Sequence, residues 1–212
     1  KKYGDFTGNI YSLENVNIHT AEAREFIAST KERYDLIQIS MVDSSGASSS
    51  GLQSIGENYL YTVESIRNAI NTLSPNGYLS ISRWIKLPPK DTLKLFAIAL
   101  EALQIQGVKE PQKQLMLIRS WQTSTLIIKN GIFNKDEIQK LNGFSDKRFF
   151  DIAYYYGIQS SDANRFNILE EPFVYNSIKA ILQDMEKFFE SYKFDVRAAT
   201  DNKPYFYHYF RW

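Results

Sequence analysis

An open, doubly wound α/β sheet is the fold the sequence predicts, and three observations predict it. Short β-rich runs alternate along the chain with segments whose apolar residues recur at a helical period. Tyr34 to Ser40 is a compact apolar run bounded by polar residues, the pattern of a buried parallel strand. Leu115 to Ile118 and Thr125 to Ile128 flank Trp121 and Gln122 and read as a hairpin. Parallel strands linked through helices, followed by such a hairpin, make a parallel sheet with an antiparallel edge.

The elements follow in order. Asn15 to His19 alternates apolar and polar as a half-buried strand does, and Thr20 is placed as the N-cap of a helix running to Ile27. After the strand at Tyr34, residues 43–51 are almost wholly Ser, Gly and Ala, too small and polar to pack, and so form a surface loop at the strand's carboxyl end. Asn58 to Leu73 carries apolar residues at 59, 60, 63, 66, 70 and 73, and Ser74-Pro75-Asn76-Gly77 supplies the stop. Tyr78 to Trp84 is the next strand, and Asp91 to Ile105 the next helix, closed by Gly107. From Asn134 the character changes: Lys135 to Leu141 predicts a short helix, Arg148 to Gly157 an aromatic-rich piece, and Pro172 to Tyr192 one longer helix. The expected organisation is therefore an α/β domain over 1–133 and a helical, aromatic-rich appendage over 134–212 packing on it.

Composition narrows the chemistry. The 212 residues are 43% apolar and 23% charged, a globular balance that excludes disorder and low complexity. Lys and Arg total 25 against 24 Asp and Glu, too even for a protein that grips phosphate backbones, so no nucleic-acid partner is expected. With no cysteine and only His19 and His208, disulfide, thiolate and zinc chemistry are set aside and no metal site is expected. No apolar run approaches the roughly 20 residues of a membrane span, so the chain as given reads as soluble. Its start at Lys1-Lys2-Tyr3-Gly4, without Met, suggests a segment of a longer protein.

Five stretches carry a resemblance: Asn15 to Ile27 (NVNIHTAEAREFI), Tyr34-Asp-Leu-Ile37, Glu57 to Glu64 (ENYLYTVE), Leu73-Ser-Pro-Asn-Gly-Tyr-Leu79, and Thr200-Asp-Asn-Lys-Pro-Tyr-Phe206. In their order and spacing the chain resembles the spermidine synthase-like proteins of the S-adenosylmethionine-dependent methyltransferase fold, in the branch fused to membrane segments. The likeness covers roughly residues 6 to 130 and the tail, and the Thr-Asp-x-x-Pro-Tyr-Phe ending discriminates best. It implies a Rossmann-like sheet, a cofactor crevice outside the carboxyl ends of the strands, and S-adenosylmethionine or its decarboxylated form as donor. The Gly-x-Gly loop and the ribose-binding acid that would precede this region are absent from the chain, so the resemblance starts after the fold's second strand and implies half a cofactor site.

Residue by residue, the resemblance gives Glu22 the role of accepting a hydrogen bond from the adenine amino group, with Ala23 letting the ring lie close. On its own, Glu22 is equally a first-turn helix acid favoured by the macrodipole. Ser40 stands where aminopropyltransferases carry an Asp that acts on the attacking amine. Asp43 is the nearest carboxylate, either a displaced substitute or a polar turn residue. Glu57 and Tyr61 match the substrate cleft, where a carboxylate beside aromatics suits a cationic amine; they are also what a helix-start acid and a core tyrosine look like. The clustered aromatics at 149–156 line a ligand surface or belong to the core.

The reading is a transferase moving an aminopropyl or methyl group from an S-adenosylmethionine-type donor to an amine or polyamine. Its alternative is a non-catalytic domain of the same fold, sensing a ligand or serving a membrane protein at the cytoplasmic face of the inner membrane. A third is an unrelated α/β binding module. An α/β piece lacking central strands exposes sheet edges, so a homo-oligomer is expected.

Overall fold

The computed structural model describes residues 4–6, 8–41 and 56–211. The architecture is mixed α/β, an open five-stranded sheet with six α-helices among the described residues, compatible with a Rossmann-like fold. The strands are β1 (Tyr34–Ile39), β2 (Leu73–Trp84), β3 (Leu115–Arg119), β4 (Thr123–Lys129) and β5 (Asp151–Tyr154). The helices are α1 (Ala23–Ser29), α2 (Val63–Asn71), α3 (Asp91–Ile105), α4 (Lys135–Arg148), α5 (Phe173–Gln183) and α6 (Met185–Ser191). The sheet order is β1-β2-β4-β3-β5; β1 and β2 are parallel, and the other three pairings are antiparallel.

The expected hairpin is β3-β4, but it does not lie at the edge. Strand β4 is inserted between β2 and β3, because its alternating apolar residues Leu126 and Ile128 face the same buried layer as Leu79 and Ile81 of β2. The edge is closed instead by β5, drawn from the segment expected to be part of a helical appendage. Asp151 and Ile152 pair with Arg119 and Ile118, and Ala153 and Tyr154 join the main core.

At the other edge, β1 is parallel as expected, yet it is not the buried strand its apolar run suggests. Only Ile39 is buried and Leu36 is 56% exposed, because β1 pairs with β2 on one side and with no described strand on the other. Residues 15–19 form no strand, and Ile18 is 60% exposed; alternation without a neighbour to pair with does not make a strand. The following helix starts at Ala23, and Glu22 rather than Thr20 caps it, its carboxylate accepting the Glu25 N–H.

The expected stop at 74–77 lies beyond the end of α2 at Asn71 and is an irregularity inside β2, where the register jumps from Tyr34↔Leu73 to Leu36↔Tyr78. Gly77 is required there: a Cβ would stand 2.9 Å from the Tyr34 carbonyl oxygen and 3.0 Å from that of Ser74. Asn130 pins the irregularity, exchanging backbone bonds with Asn76 and Gly77 and donating its amide to the carbonyls of Leu73 and Ser74.

Helix α3 is buried continuously from Thr92 to Leu100, being packed between the sheet and the helices α2 and α5. The expected long helix at 172–192 is two helices, because Asp184 leaves the helical conformation (φ −156°) and caps α6 through the Lys187 N–H. Helix α4 runs to Arg148, beyond its expected end at Leu141, and has a full capping box of Asn134 and Glu137. The tail is folded into the main core: Phe206 is fully buried, and Tyr207 and Tyr209 are nearly so. No helix among the described residues is long and apolar enough to cross a membrane.

Candidate functional site

Each of α1 and α2 leads within a few residues into a strand of the parallel pair. Their last turns therefore lie by the amino ends of β1 and β2, as the Tyr34 N–H bond to the Thr72 carbonyl and the Arg33 bonds to the Asn71 and Leu73 carbonyls show. Their first turns consequently lie toward the carboxyl ends, where doubly wound sheets bind ligands. The start of α1, with Glu22 and Ala23, meets the 57–62 turn before α2 through Arg24 and Tyr59, and Ser40 follows the carboxyl end of β1.

The outer layer is polar and tied down by the tail. Arg24 forms an ion pair with Asp201 and also donates to the Tyr59 carbonyl at 3.2 Å, its guanidinium lying 5.4 Å from the Tyr59 ring centre. Asp201 accepts in addition from the Thr62 hydroxyl at 2.8 Å, and its own N–H donates to Glu64 at 2.9 Å. Burial works to raise the Asp201 carboxyl, but the hydrogen bonds from Arg24 and Thr62 and the Arg24 charge outweigh it and hold the pKa below its ordinary value. Thr62 caps α2 through the Ser65 N–H, and Asn58 caps the turn before it while donating its own N–H to the Pro204 carbonyl at 2.6 Å. One tail turn thus locks the starts of α1 and α2 together. Exposed in front of this frame, the Tyr59 hydroxyl donates to Glu57 at 3.0 Å, and that bond raises the Tyr59 pKa.

Beneath it lies a buried cluster of charge and aromatic rings. Arg83, at the end of β2, donates to the Tyr61 hydroxyl at 3.1 Å and the Tyr207 hydroxyl at 2.8 Å, and it meets Asp91 at 3.4 Å. Its guanidinium lies 4.8 Å from the Tyr61 ring centre, with Phe206 and Tyr207 at 5.4 and 5.3 Å. Asp91 also accepts from the Tyr209 hydroxyl at 2.9 Å, while Lys94, one turn on, donates to the carbonyls of Tyr205 and His208. Burial pushes the Lys94 amine down to about 8, against Asp195 and Asp91, which favour its charge. None of Arg83, Asp91, Lys94, Tyr207 and Tyr209 was singled out from the sequence. The signal was present: Arg83 continues the inward alternation of Leu79 and Ile81, and a cation facing a core must find partners.

The expected site residues are divided by this geometry. Glu57 is exposed and faces the open side with Tyr59. Tyr61 is fully buried and packs on Phe206 at 4.9 Å between ring centres, so its hydroxyl serves Arg83 inside the frame rather than a cleft. Glu22 is the α1 cap; one carboxylate oxygen, Oε2, takes the Glu25 N–H, and Oε1 has no protein donor among the described residues. Ala23 follows it without side-chain bulk, and Ser40 is exposed at the end of β1. Asp43 lies outside the described residues. Trp84, ending β2, has a buried indole N–H with no acceptor among the described residues. The unbonded Glu22 oxygen beside the small Ala23 leaves an exposed acceptor at the start of α1.

No protein-family model matches the chain, and no curated protein matches it.

Proposed function

We propose that this chain is a spermidine synthase-like transferase domain that takes an S-adenosylmethionine-type donor at the carboxyl ends of β1 and β2 and passes an aminopropyl or methyl group to an amine. The observation that supports the reading is that Asp201 ties the start of α1, next to Glu22 and Ala23, to the start of α2, which follows Glu57, the two helices that lead into the parallel pair β1/β2. The donor supplies an electrophilic carbon next to a sulfonium, and attack there needs placement more than acid–base strength. Glu22 Oε1 would accept from the base amino group over Ala23, and Glu57 with the Tyr59 ring would draw a cationic amine toward the crevice. The domain would work at the cytoplasmic face of a membrane, attached to membrane segments, and pair with a second copy along the open edge of β1. The test is transfer of label from S-adenosylmethionine and decarboxylated S-adenosylmethionine to diamine and polyamine acceptors, with loss of transfer in Glu57→Gln.

Three observations favour a second reading, a non-catalytic domain that binds an adenosyl ligand. Ser40 offers no carboxylate, Tyr61 is sealed in the core, and Asp201 is held by Arg24 and Thr62. Saturable binding without turnover distinguishes this reading from the first.

A further inference from the structure

A groove of about 850 Å³ opens at the opposite end of the sheet from the crevice, and we propose that it binds a nucleoside monophosphate. Strands β2 and β3 run in the same direction, since both are antiparallel to β4, and the groove lies where β3 begins and β5 ends. Its walls come from the last turns of α3, the 109–112 segment, the turn after β5, and α5. The volume is in the range of small-molecule sites, roughly 300–1,000 Å³.

The lining defines the ligand by chemistry. It contains four tyrosines, Tyr154, Tyr155, Tyr156 and Tyr175, four glutamines, two lysines, and no Asp or Glu. Lys109 and Lys179 approach from different elements, both are exposed, and neither has an ion-pair partner among the described residues. Two uncompensated cations on a lining without acids favour an anion. The half-buried rings of Tyr155 and Tyr175, with side-chain amides that both donate and accept, suit a nucleobase, and lysine is an effective point charge for phosphate. The aromatic wall is rigid: the Tyr154 hydroxyl donates to the Gln112 carbonyl at 3.0 Å, its ring meets Phe96 edge-on at 5.3 Å, and Lys113, neutralised by Glu110 at 2.6 Å, sits on the Tyr156 ring. The site is independent of the proposed transferase crevice and stands or falls separately.

Calorimetric titration of GMP, CMP and UMP, with uridine and inorganic phosphate as half-ligands, tests this. One or more of the nucleotides should saturate a single site. Nucleoside and phosphate alone should bind at least about ten-fold more weakly, because each leaves half of the lining unused. The Lys109→Glu/Lys179→Glu variant, altered only at exposed positions, should lose at least about ten-fold in affinity, while Lys140→Glu, exposed on α4 outside the groove, should bind as the wild type does. No saturation by any of the three nucleotides at millimolar concentration overturns the proposal. So does unchanged affinity in the double variant, a phosphate that binds as tightly as the nucleotide, or loss of binding in Lys140→Glu.

Discussion

Arg24, in the first turn of α1, is ion-paired with Asp201, which follows it by 177 positions. Through Thr62 the same carboxylate reaches the cap of α2, so the Thr-Asp-x-x-Pro-Tyr-Phe ending acts as a clasp across the crevice end of the fold. Asp201→Asn should loosen that clasp, lowering stability by about 1–2 kcal/mol and speeding amide exchange in α1. The sign with pH is fixed by the depressed Asp201 pKa: the stabilisation is present above the unfolded-state carboxyl value and is lost as pH falls through the lower folded value. Wild type and variant should therefore converge in acid; a difference that persists unchanged below pH ~3 would contradict the clasp.

Asp151 is a more demanding carboxylate. It is buried, faces buried Arg119 at 3.3 Å, and accepts the N–H groups of Arg165, Phe166 and Asn167 at 2.6 to 2.9 Å. Burial raises its pKa, but these bonds and the Arg119 charge outweigh burial and lower it. Asp151→Ala should cost about 3–5 kcal/mol by chemical denaturation, since it strands Arg119 and three backbone donors. Asp151→Ala combined with Arg119→Leu should cost less than the sum of the two single changes, and simple additivity would count against a coupled pair.

Sequence periodicity reached much of this fold because the helices and inner strands bury regular faces: α3 and the β3-β4 hairpin lie where the pattern puts them, while α2 is shorter than its run and β2 begins at Leu73, ahead of the expected Tyr78. It failed where partners, not pattern, decide. Residues 15–19 alternate but have no strand beside them. The run at 34–39 is apolar enough for a core strand yet stands at an open edge. Phe149 to Tyr156 reads as an aromatic cluster, and only the Arg119–Asp151 pairing reveals it as an edge strand. In the candidate site, Glu22, Ala23, Ser40 and Glu57 enter from the resemblance alone, whereas the Arg83, Asp91 and Lys94 cluster depends on a tail more than a hundred positions away.

Lys94 gives a pH signature. Its amine is near 8 when folded against an ordinary value of 10.5, so between these values the unfolded chain binds more protons and stability rises with pH. The contribution reaches at most about 3 kcal/mol across that window. Lys94→Met, measured by denaturation from pH ~7 to ~10.5, should lack this rise relative to wild type. The opposing effect of Tyr209, whose pKa burial raises, is present in both proteins and cancels. Parallel curves would mean that Lys94 is not titrating in the folded core.

Gly77→Ala tests the β1-β2 junction. The added Cβ would meet backbone oxygens of Tyr34 and Ser74 that cannot swing aside. A loss of about 1–3 kcal/mol is expected, with amide exchange accelerated first in β1. A neutral substitution would show that the junction is looser than described.

The central claim is that the carboxyl ends of β1 and β2 hold an adenosyl ligand, and calorimetric titration of S-adenosylmethionine, decarboxylated S-adenosylmethionine and methylthioadenosine tests it most directly. The account predicts saturable binding that weakens about ten-fold or more in Ala23→Leu, which fills the space the ring needs, and that is unchanged in Lys109→Glu/Lys179→Glu. Absence of binding by all three ligands, or binding indifferent to Ala23→Leu, would contradict it.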